Sequence, residues 1–395
     1  MSANDFKDRV AVVGMGCTRF GDRWESSADD LLAEAVQEAL DSAGMTIDQI
    51  DAFWLGTFSS GNSGMTMTAS VDVGLKPVTR VENYCATGSD AFRNASYAVA
   101  SGAYEVVMAV GVEKLKDSRF AGLVVPDPDA DGTAPAWSSP APFAMLAPAY
   151  GRANGMSEDE VRSALSRIAM KNHKNGVANP RAQYRSEVTS EQVESGPLVA
   201  GMLRVLDCSG VADGAAAAII TRADDAKRYQ EKPLYVKSMA LSAAPRNGNL
   251  SADFDYTTMP EAVASSRTAL ELAGVTDVGA EIALVELHDC FTPTELVLYE
   301  DLGLAPRGAG ASMVLDGMFD ADGWLPVNPD GGLKSFGHPI GASGLRMLFE
   351  CWLQLREEAG ERQIDVSRPY GMTHNLGGRP GASVSFVSIV GGELG

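Results

Sequence analysis

Positive charge is what this chain of 395 residues has least of. Its 32 Lys and Arg stand against 52 Asp and Glu, a formal net charge of −20. That balance opposes nonspecific nucleic-acid binding, which runs on counterion release by clustered Lys and Arg. It offers nothing to an anionic membrane surface either; a solvated acidic exterior accounts for it. Cysteine is scarce as well. The five present (Cys17, Cys85, Cys208, Cys290 and Cys351) are far apart, odd in number and without C-x-x-C spacing. This excludes a disulfide framework and the usual zinc patterns, and fits a reducing cytoplasm. No apolar run reaches the length of a membrane span. The N-terminal "MSANDFKDRVAVVG" lacks the apolar core of a secretory signal, and "GGELG" at the other end is not a peroxisomal tripeptide. What remains is an ordinary globular composition, 45% hydrophobic and 21% charged, in a chain long enough for about two or three domain-sized units.

Along the chain, strand-like and helix-like runs alternate. "RVAVVGMG" reads as a buried strand entering a glycine turn, and "SADDLLAEAVQEALDSAG" as an amphipathic helix stopped by Gly44. "IDAFWLGTF", "VTRVENY" and "YEVVMAVGVEKL" read as strands, with the helix "SDAFRNASYAVASG" between the last two. This alternation predicts an α/β fold with largely parallel strands. From 118 to 206 the pattern loosens. "VVPDPDADGTAPAWSSPAPF" is loop-like, and "MSEDEVRSALSRIAMKNHKNG" is a helix with Ser157 and Glu160 at capping-box spacing. Strands resume at "DGAAAAIITR" and "LYVKSMAL". The segment 118–206 therefore reads as an insertion on an α/β core, of the kind that covers a substrate site.

The two halves repeat. "ALDSAG" and "ALELAG" each end a helix before a strand. "CATGSDAFR" and "HPIGASGLR" each carry Gly at +3 and Arg at +8 from Cys85 and His338. In this order the matches predict a duplicated unit, with Cys85 and His338 at equivalent strand-to-helix turns. The halves expected are 1–117 with 207–257, and 258–395.

These turns carry the candidate chemistry. A cysteine at a helix N-terminus has its thiolate stabilised by the dipole and the free N–H groups. Position alone leaves Cys85 equally readable as buried filler; its pairing with the His338 turn favours a nucleophile. In "SFGHPIGASG", His338 is fixed between Gly337 and Pro339, where it can donate to an oxyanion, move a proton, or merely cap its own helix. "VELHDCF" ends an apolar strand with His288, Asp289 and Cys290, at the end where α/β folds keep their sites. A metal there needs further ligands at suitable spacing, and none is nearby in sequence. "THNLGGRPGAS" is a glycine turn that suits an oxyanion hole or is a plain turn. Cys17, Cys208 and Cys351 read as filler, and His374 stays open. "MKNHKNGVANPRAQYR", with Lys171, His173 and Lys174, is the one basic stretch: a solvated helix face, or a site for a substrate's phosphate.

Taken together, these segments resemble the thiolase superfamily. The Cys85 turn, "DCSGVADGAAAAII", "VELHDCF", "GGLKSFGHPIGASG" and "NLGG" occur in family order over nearly the whole chain. "H-D-C-F" is similar to the sterol-carrier-protein-type and archaeal-like thiolases rather than the commoner N-E-A-F. The resemblance implies an αβαβα layered sandwich of two similar halves with an inserted loop domain. It implies a dimer or tetramer acting on acyl-CoA and CoA, with no permanently bound cofactor. It implies Cys85 as the acyl-accepting nucleophile and His338 as its activator and part of an oxyanion hole. His288 would bind the thioester oxygen, and the N–H groups of Cys85 and Gly377 would form the second hole. Where ordinary thiolases carry a second cysteine this chain has Asn375, so the acid/base role passes to Cys290. A related expectation is an acyltransferase or retro-aldolase on an aromatic, steroid or polyketide substrate, with a zinc-ribbon/OB-fold partner; a non-catalytic scaffold is the remaining alternative.

Overall fold

A computed structural model describes residues 6–117, 124–125, 137–245, 248 and 251–395. Most of the expected loop at 124–143 lies outside the described residues. Nine strands form one sheet: β1 (Val10–Cys17), β2 (Ala52–Gly56), β3 (Val78–Val81), β4 (Val106–Glu113), β5 (Gly214–Arg222), β6 (Leu234–Ala243), β7 (Ile282–Glu286), β8 (Tyr370–Arg379) and β9 (Ala382–Gly391). Their order is β7-β8-β9-β6-β1-β5-β4-β2-β3. The middle is thin: β1 and β6 share only the pairs Ala11–Tyr235 and Val12–Leu234.

Outward from that seam the same pattern runs twice. On one side β1–β5 and β5–β4 are antiparallel, and β4–β2 and β2–β3 parallel. On the other, β6–β9 and β9–β8 are antiparallel and β8–β7 parallel, followed by a single parallel bridge from Val285 to Val327. The duplication expected from the sequence is thus present in the strand order. The expectation of largely parallel strands is corrected. Each half ends on a strand that returns antiparallel between two earlier ones, and in the second half β8 and β9 form a hairpin through Pro380 and Gly381.

Six helices matter for the site: α1 (Ala28–Ala43), α2 (Thr87–Ala100), α3 (Glu158–Val177), α4 (Pro260–Ala273), α5 (Thr292–Asp301) and α6 (Ser343–Leu355). Helix α1 covers β1 and α4 covers β6 and β9, while α2 and α6 pack on each other in the central layer. Helix α1 starts on a reciprocal cap, Ser27 Oγ accepting from Asp30 N and the Asp30 carboxylate from Ser27 N, and stops at Gly44 with φ 62°. It lies so close to β1 that a Cβ on Gly14 would sit 2.5 Å from Ala39 O. The same requirement joins the central helices. A Cβ on Gly88 would be 2.7 Å from Gly341 O, and one on Gly344 would be 2.6 Å from Ser89 N. Glycine at these two places lets the N-termini of α2 and α6 touch, and the site is built on that contact. Among the described residues no helix is long and apolar enough to cross a membrane.

Helix α3, from the inserted segment, has the Ser157–Glu160 capping box its sequence predicts. Its inner face packs on the second half rather than the first, against α5 and the short helix Gly332–Phe336. There Lys171, Asn175 and Asn179, spaced four apart, donate to the carbonyls of Val327, Asn328 and Asp330. Two polar side chains on the last turns of α3 and one just past its end thus hold the segment that leads into His338.

Candidate active site

Cys85 follows β3 by a turn whose central residue, Tyr84, has φ 50°. A non-glycine residue there costs of order 1–3 kcal/mol. The turn is held by Asn83 O accepting from Ala86 N, by Tyr84 O accepting from Thr87 N, and by Tyr84 N donating to Glu82 Oε1 at 2.6 Å. It reverses the chain sharply into α2 and leaves Cys85 at the bend. His338 enters from the opposite side, after the short helix Gly332–Phe336. That helix is capped by Asp289, whose carboxylate accepts from Leu333 N at 2.6 Å, Lys334 N at 3.2 Å and Asn172 Nδ2 at 2.8 Å. Burial and the neighbouring Glu295 push Asp289 up to about 7 against these donors.

The two turns meet. His338 Nε2 lies 3.1 Å from Cys85 Sγ across 253 residues of sequence. His338 Nδ1 lies 2.7 Å from Ser343 Oγ, whose own proton goes to Pro339 O at 3.0 Å. A hydroxyl has one proton. With that proton spent on a carbonyl, Ser343 must accept from Nδ1–H, so the Nε2 lone pair faces the thiol. His338 is therefore arranged as a base. Burial keeps it neutral, with its pKa pushed down to about 3.

His288 has the opposite arrangement. Its Nδ1 lies 3.1 Å from Asn375 Nδ2, and Asn375 Oδ1 accepts from Ser89 Oγ at 3.2 Å. The amide donates to Nδ1, which leaves the ring proton on Nε2. Burial, then His338, holds this ring neutral too. The two imidazoles meet edge to face, centroids 5.5 Å apart. One presents a lone pair and the other an N–H, so one ring is suited to take a proton and the other to donate a hydrogen bond.

The thiols differ from the sequence expectation. Cys85 is half-buried, yet desolvation pushes it up to about 12, Glu113 and Glu82 adding to the shift while its own backbone N–H opposes it. Burial outweighs the helix terminus, so the resting group is a thiol and His338 must take its proton. Cys290 is buried, with Sγ 3.7 Å from Thr294 Oγ1. Its pKa is raised well above the usual thiol value, first by burial and then by Cys85. Gly377 lies against the Cys85 turn, where a Cβ would meet Asn83 O and come within 3.0 Å of Ala86 N.

The basic stretch needs correction. Lys171 is buried, donating to Val327 O at 2.7 Å and Asn172 Oδ1 at 2.6 Å and paired with Glu295 at 3.0 Å. It is a strut and is not placed to meet a phosphate. His173 is held neutral by burial, its pKa pushed down to about 4. Arg181 pairs with Glu38. Lys174 and Arg185 are the cations of this stretch that stay exposed. Lys171→Glu is expected to unfold the domain at lower denaturant, since an unpaired buried Glu295 costs about 3–5 kcal/mol. Lys174→Glu alone should leave stability intact, and its Michaelis constant at low salt tests whether this exposed ammonium meets a substrate phosphate. An unchanged constant there would remove Lys174 from the substrate site.

Sequence reasoning gave no role to Ser343, Ser89 or the Tyr84 bend, and read Asn375 only as a missing acid. His374 turns away into the core, with Nε2 3.0 Å from Ser385 Oγ. Asn375→Asp keeps the shape but accepts from Nδ1–H, which turns the bare nitrogen of His288 to the site. Losing that donor should lower turnover by about 10² to 10³ with little change in KM. Imidazole ¹⁵N shifts would report the tautomer, and a rate within about threefold of wild type would exclude Asn375 as the group that fixes it.

A duplicated α/β sandwich that joins a thiol and a neutral histidine across two helix N-termini defines a thiolase-like protein. The thiolase N-terminal domain profile matches residues 10–224 and the thiolase C-terminal domain-like profile residues 242–390. The chain belongs to the thiolase family. It is 38% identical to an acetyl-CoA acetyltransferase of Methanothermobacter thermautotrophicus over 391 residues, covering 96% of this chain and 98% of that one. It is 34% identical to human sterol carrier protein 2, over 93% of this chain and 70% of the relative. Among solved structures, the Ltp2-ChsH2(DUF35) aldolase superimposes with a TM-score of 0.81 at 24% identity, covering 99% of both chains. Human mitochondrial 3-ketoacyl-CoA thiolase superimposes with a TM-score of 0.70 at 18% identity, over 98% and 99%. The protein is an acyltransferase of the thiolase type.

Proposed function

We propose that this enzyme cleaves a 3-oxoacyl-CoA with CoA, or forms it by Claisen condensation, through an acyl-Cys85 intermediate. The observation that carries this reading is the 3.1 Å contact between Cys85 Sγ and a His338 nitrogen whose lone pair Ser343 turns toward it. In the cleavage direction His338 Nε2 takes the Sγ proton and Sγ adds to the keto carbon. The backbone N–H groups of Cys85 and Gly377 stabilise the oxyanion. The C2–C3 bond then breaks, leaving its electron pair on C2 as an enolate. Its thioester oxygen receives N–H from His288 and from protonated His338, and Cys290 returns a proton to C2. The thiol of CoA finally gives its proton to the Cys290 thiolate and takes the acyl group, and Cys85 recovers its own proton from His338 as it leaves. Two moderate steps replace one difficult one.

In this reading CoA and acyl-CoA are substrates and no cofactor is resident. The proposed cover of the site is the segment 118–206 between the halves 1–117 with 207–257 and 258–395; of its described residues, the packing of α3 beside the His338 segment supports that reading. A homodimer or tetramer in the cytoplasm fits the exposed Leu75 and Met65 near edge strand β3 and the five free cysteines.

A second reading is favoured by Asn375, which puts an amide where a thiol is expected, and by the strongly raised pKa of Cys290. It is C-acylation or retro-aldol cleavage of an aromatic, steroid or polyketide substrate, with a zinc-ribbon/OB-fold partner such as the DUF35 component named for the Ltp2 aldolase. Turnover on a panel of 3-oxoacyl-CoA esters, with and without co-purifying proteins, separates the two. Activity of the isolated chain on simple esters supports the first, and activity only with a partner and a bulky substrate supports the second.

A further inference from the structure

We infer that Cys85, His338 and His288 form a chelating site for one soft divalent cation, of the zinc class, and that its occupation blocks acylation of Cys85. The sequence shows no metal pattern because the ligands come from three distant turns; the fold assembles them. Their ligating atoms all lie within 4.8 Å of one another. A tetrahedral ion with bonds of about 2.0–2.3 Å holds such atoms roughly 3.3–3.6 Å apart. The Cys85–His338 pair at 3.1 Å is a few tenths of an ångström inside that spacing, so small side-chain shifts of about 1 Å or less complete the set. Three protein ligands, one sulfur and two imidazole nitrogens, leave the fourth position to water.

The protonation chemistry also fits. Both rings are neutral, so no proton competes for their nitrogens. His338 already points a lone pair inward, its other nitrogen donating to Ser343. For His288 to ligate, its proton must sit on Nδ1. Asn375 allows this by turning its amide over, so that Oδ1 accepts from Nδ1–H and Nδ2 donates to Ser89 Oγ. A ligating histidine that donates its second N–H to an oxygen is the usual support of a bound zinc. On binding, the Cys85 S–H bond breaks, a metal–sulfur bond forms and the proton leaves to solvent, so the cation carries out no redox step. The metal occupies the sulfur lone pair needed for attack and the Nε2 needed for proton transfer. The inference is independent of which acyl group the enzyme uses.

The test uses Co²⁺ as a coloured probe and Zn²⁺ as its competitor, on the full chain. The wild type should bind one Co²⁺ with a sulfur-to-metal charge-transfer band and the intense visible bands of tetrahedral cobalt. Zn²⁺ should bleach both, and should inhibit reversibly with restoration by a chelator. Cys85→Ala, or wild type alkylated at Cys85, should lose the charge-transfer band, and His288→Ala should weaken binding at least tenfold. Asn375→Asp should bind Zn²⁺ about tenfold or more tighter while its turnover falls. Cys290→Ala should keep the spectrum. No stoichiometric binding of either ion at micromolar concentration, or a cobalt spectrum unchanged in both Cys85-modified proteins, would overturn the site.

Discussion

Cys85→Ser is expected to abolish acyl transfer, with no acyl mass on the peptide containing residue 85 after incubation with an acyl-CoA. The reason is the electrostatics of the site. Burial holds the Cys85 thiol at about 12 and His338 near 3, so the pair rests neutral. A serine hydroxyl, far less acidic than a thiol, would ask His338 for a proton transfer it cannot drive. His338→Ala keeps the thiol but removes the proposed base and one proposed oxyanion donor. General-base loss alone is worth about 10² to 10⁴ in rate, and a lost oxyanion donor roughly 3 to 4 kcal/mol more where the effects are separable. The same two values predict that wild-type acylation shows no histidine inflection between about pH 5 and 8, because His338 stays in its basic form throughout. Normal acyl labelling in Cys85→Ser, or a clear inflection near pH 6.5 that vanishes in His338→Ala, would contradict this arrangement.

Cys290→Ala is expected to split the reaction. It should still accept an acyl group on Cys85 from a simple acyl-CoA. It should fail to exchange the α-protons of acetyl-CoA with deuterium, and fail to make or break the carbon–carbon bond. Asn375 has no proton to exchange near neutrality and is engaged by His288 and Ser89. Cys290 is the remaining thiol beside Cys85, close enough that a charge on one raises the other. Burial keeps it protonated at rest, ready to give a proton to an enolate in the cleavage direction, and makes the thiolate needed for the reverse step scarce. Deuterium exchange at the wild-type rate in Cys290→Ala would remove it from that role. The proton would then come from a histidine or water, and the acyltransferase or retro-aldolase reading would gain.

Much of this protein follows from its sequence alone. Capping residues fixed the starts of α1 and α3, and a glycine stop the end of α1, because these are local bonds between residues three or four apart. The paired offsets after Cys85 and His338 foretold the duplication, which the strand order shows. Residue types and motif order identified the family and singled out Cys85, His288, Cys290 and His338 as candidates, of which the fold brings Cys85, His288 and His338 within 4.8 Å of one another.

Other features were decided only by the tertiary structure. Nothing local tells Lys171 that it will be buried against Glu295, and in sequence it looks like any lysine in a basic helix. The helix N-terminus that should lower the Cys85 pKa is overruled by desolvation, a property of everything packed around the sulfur. The tautomers of His338 and His288 depend on Ser343, Ser89 and Asn375, and two of those contacts span 87 and 286 residues. A sequence specifies which groups can donate and accept. Only packing decides which of them meet, and with that which histidine turns a lone pair to the thiol and which an N–H.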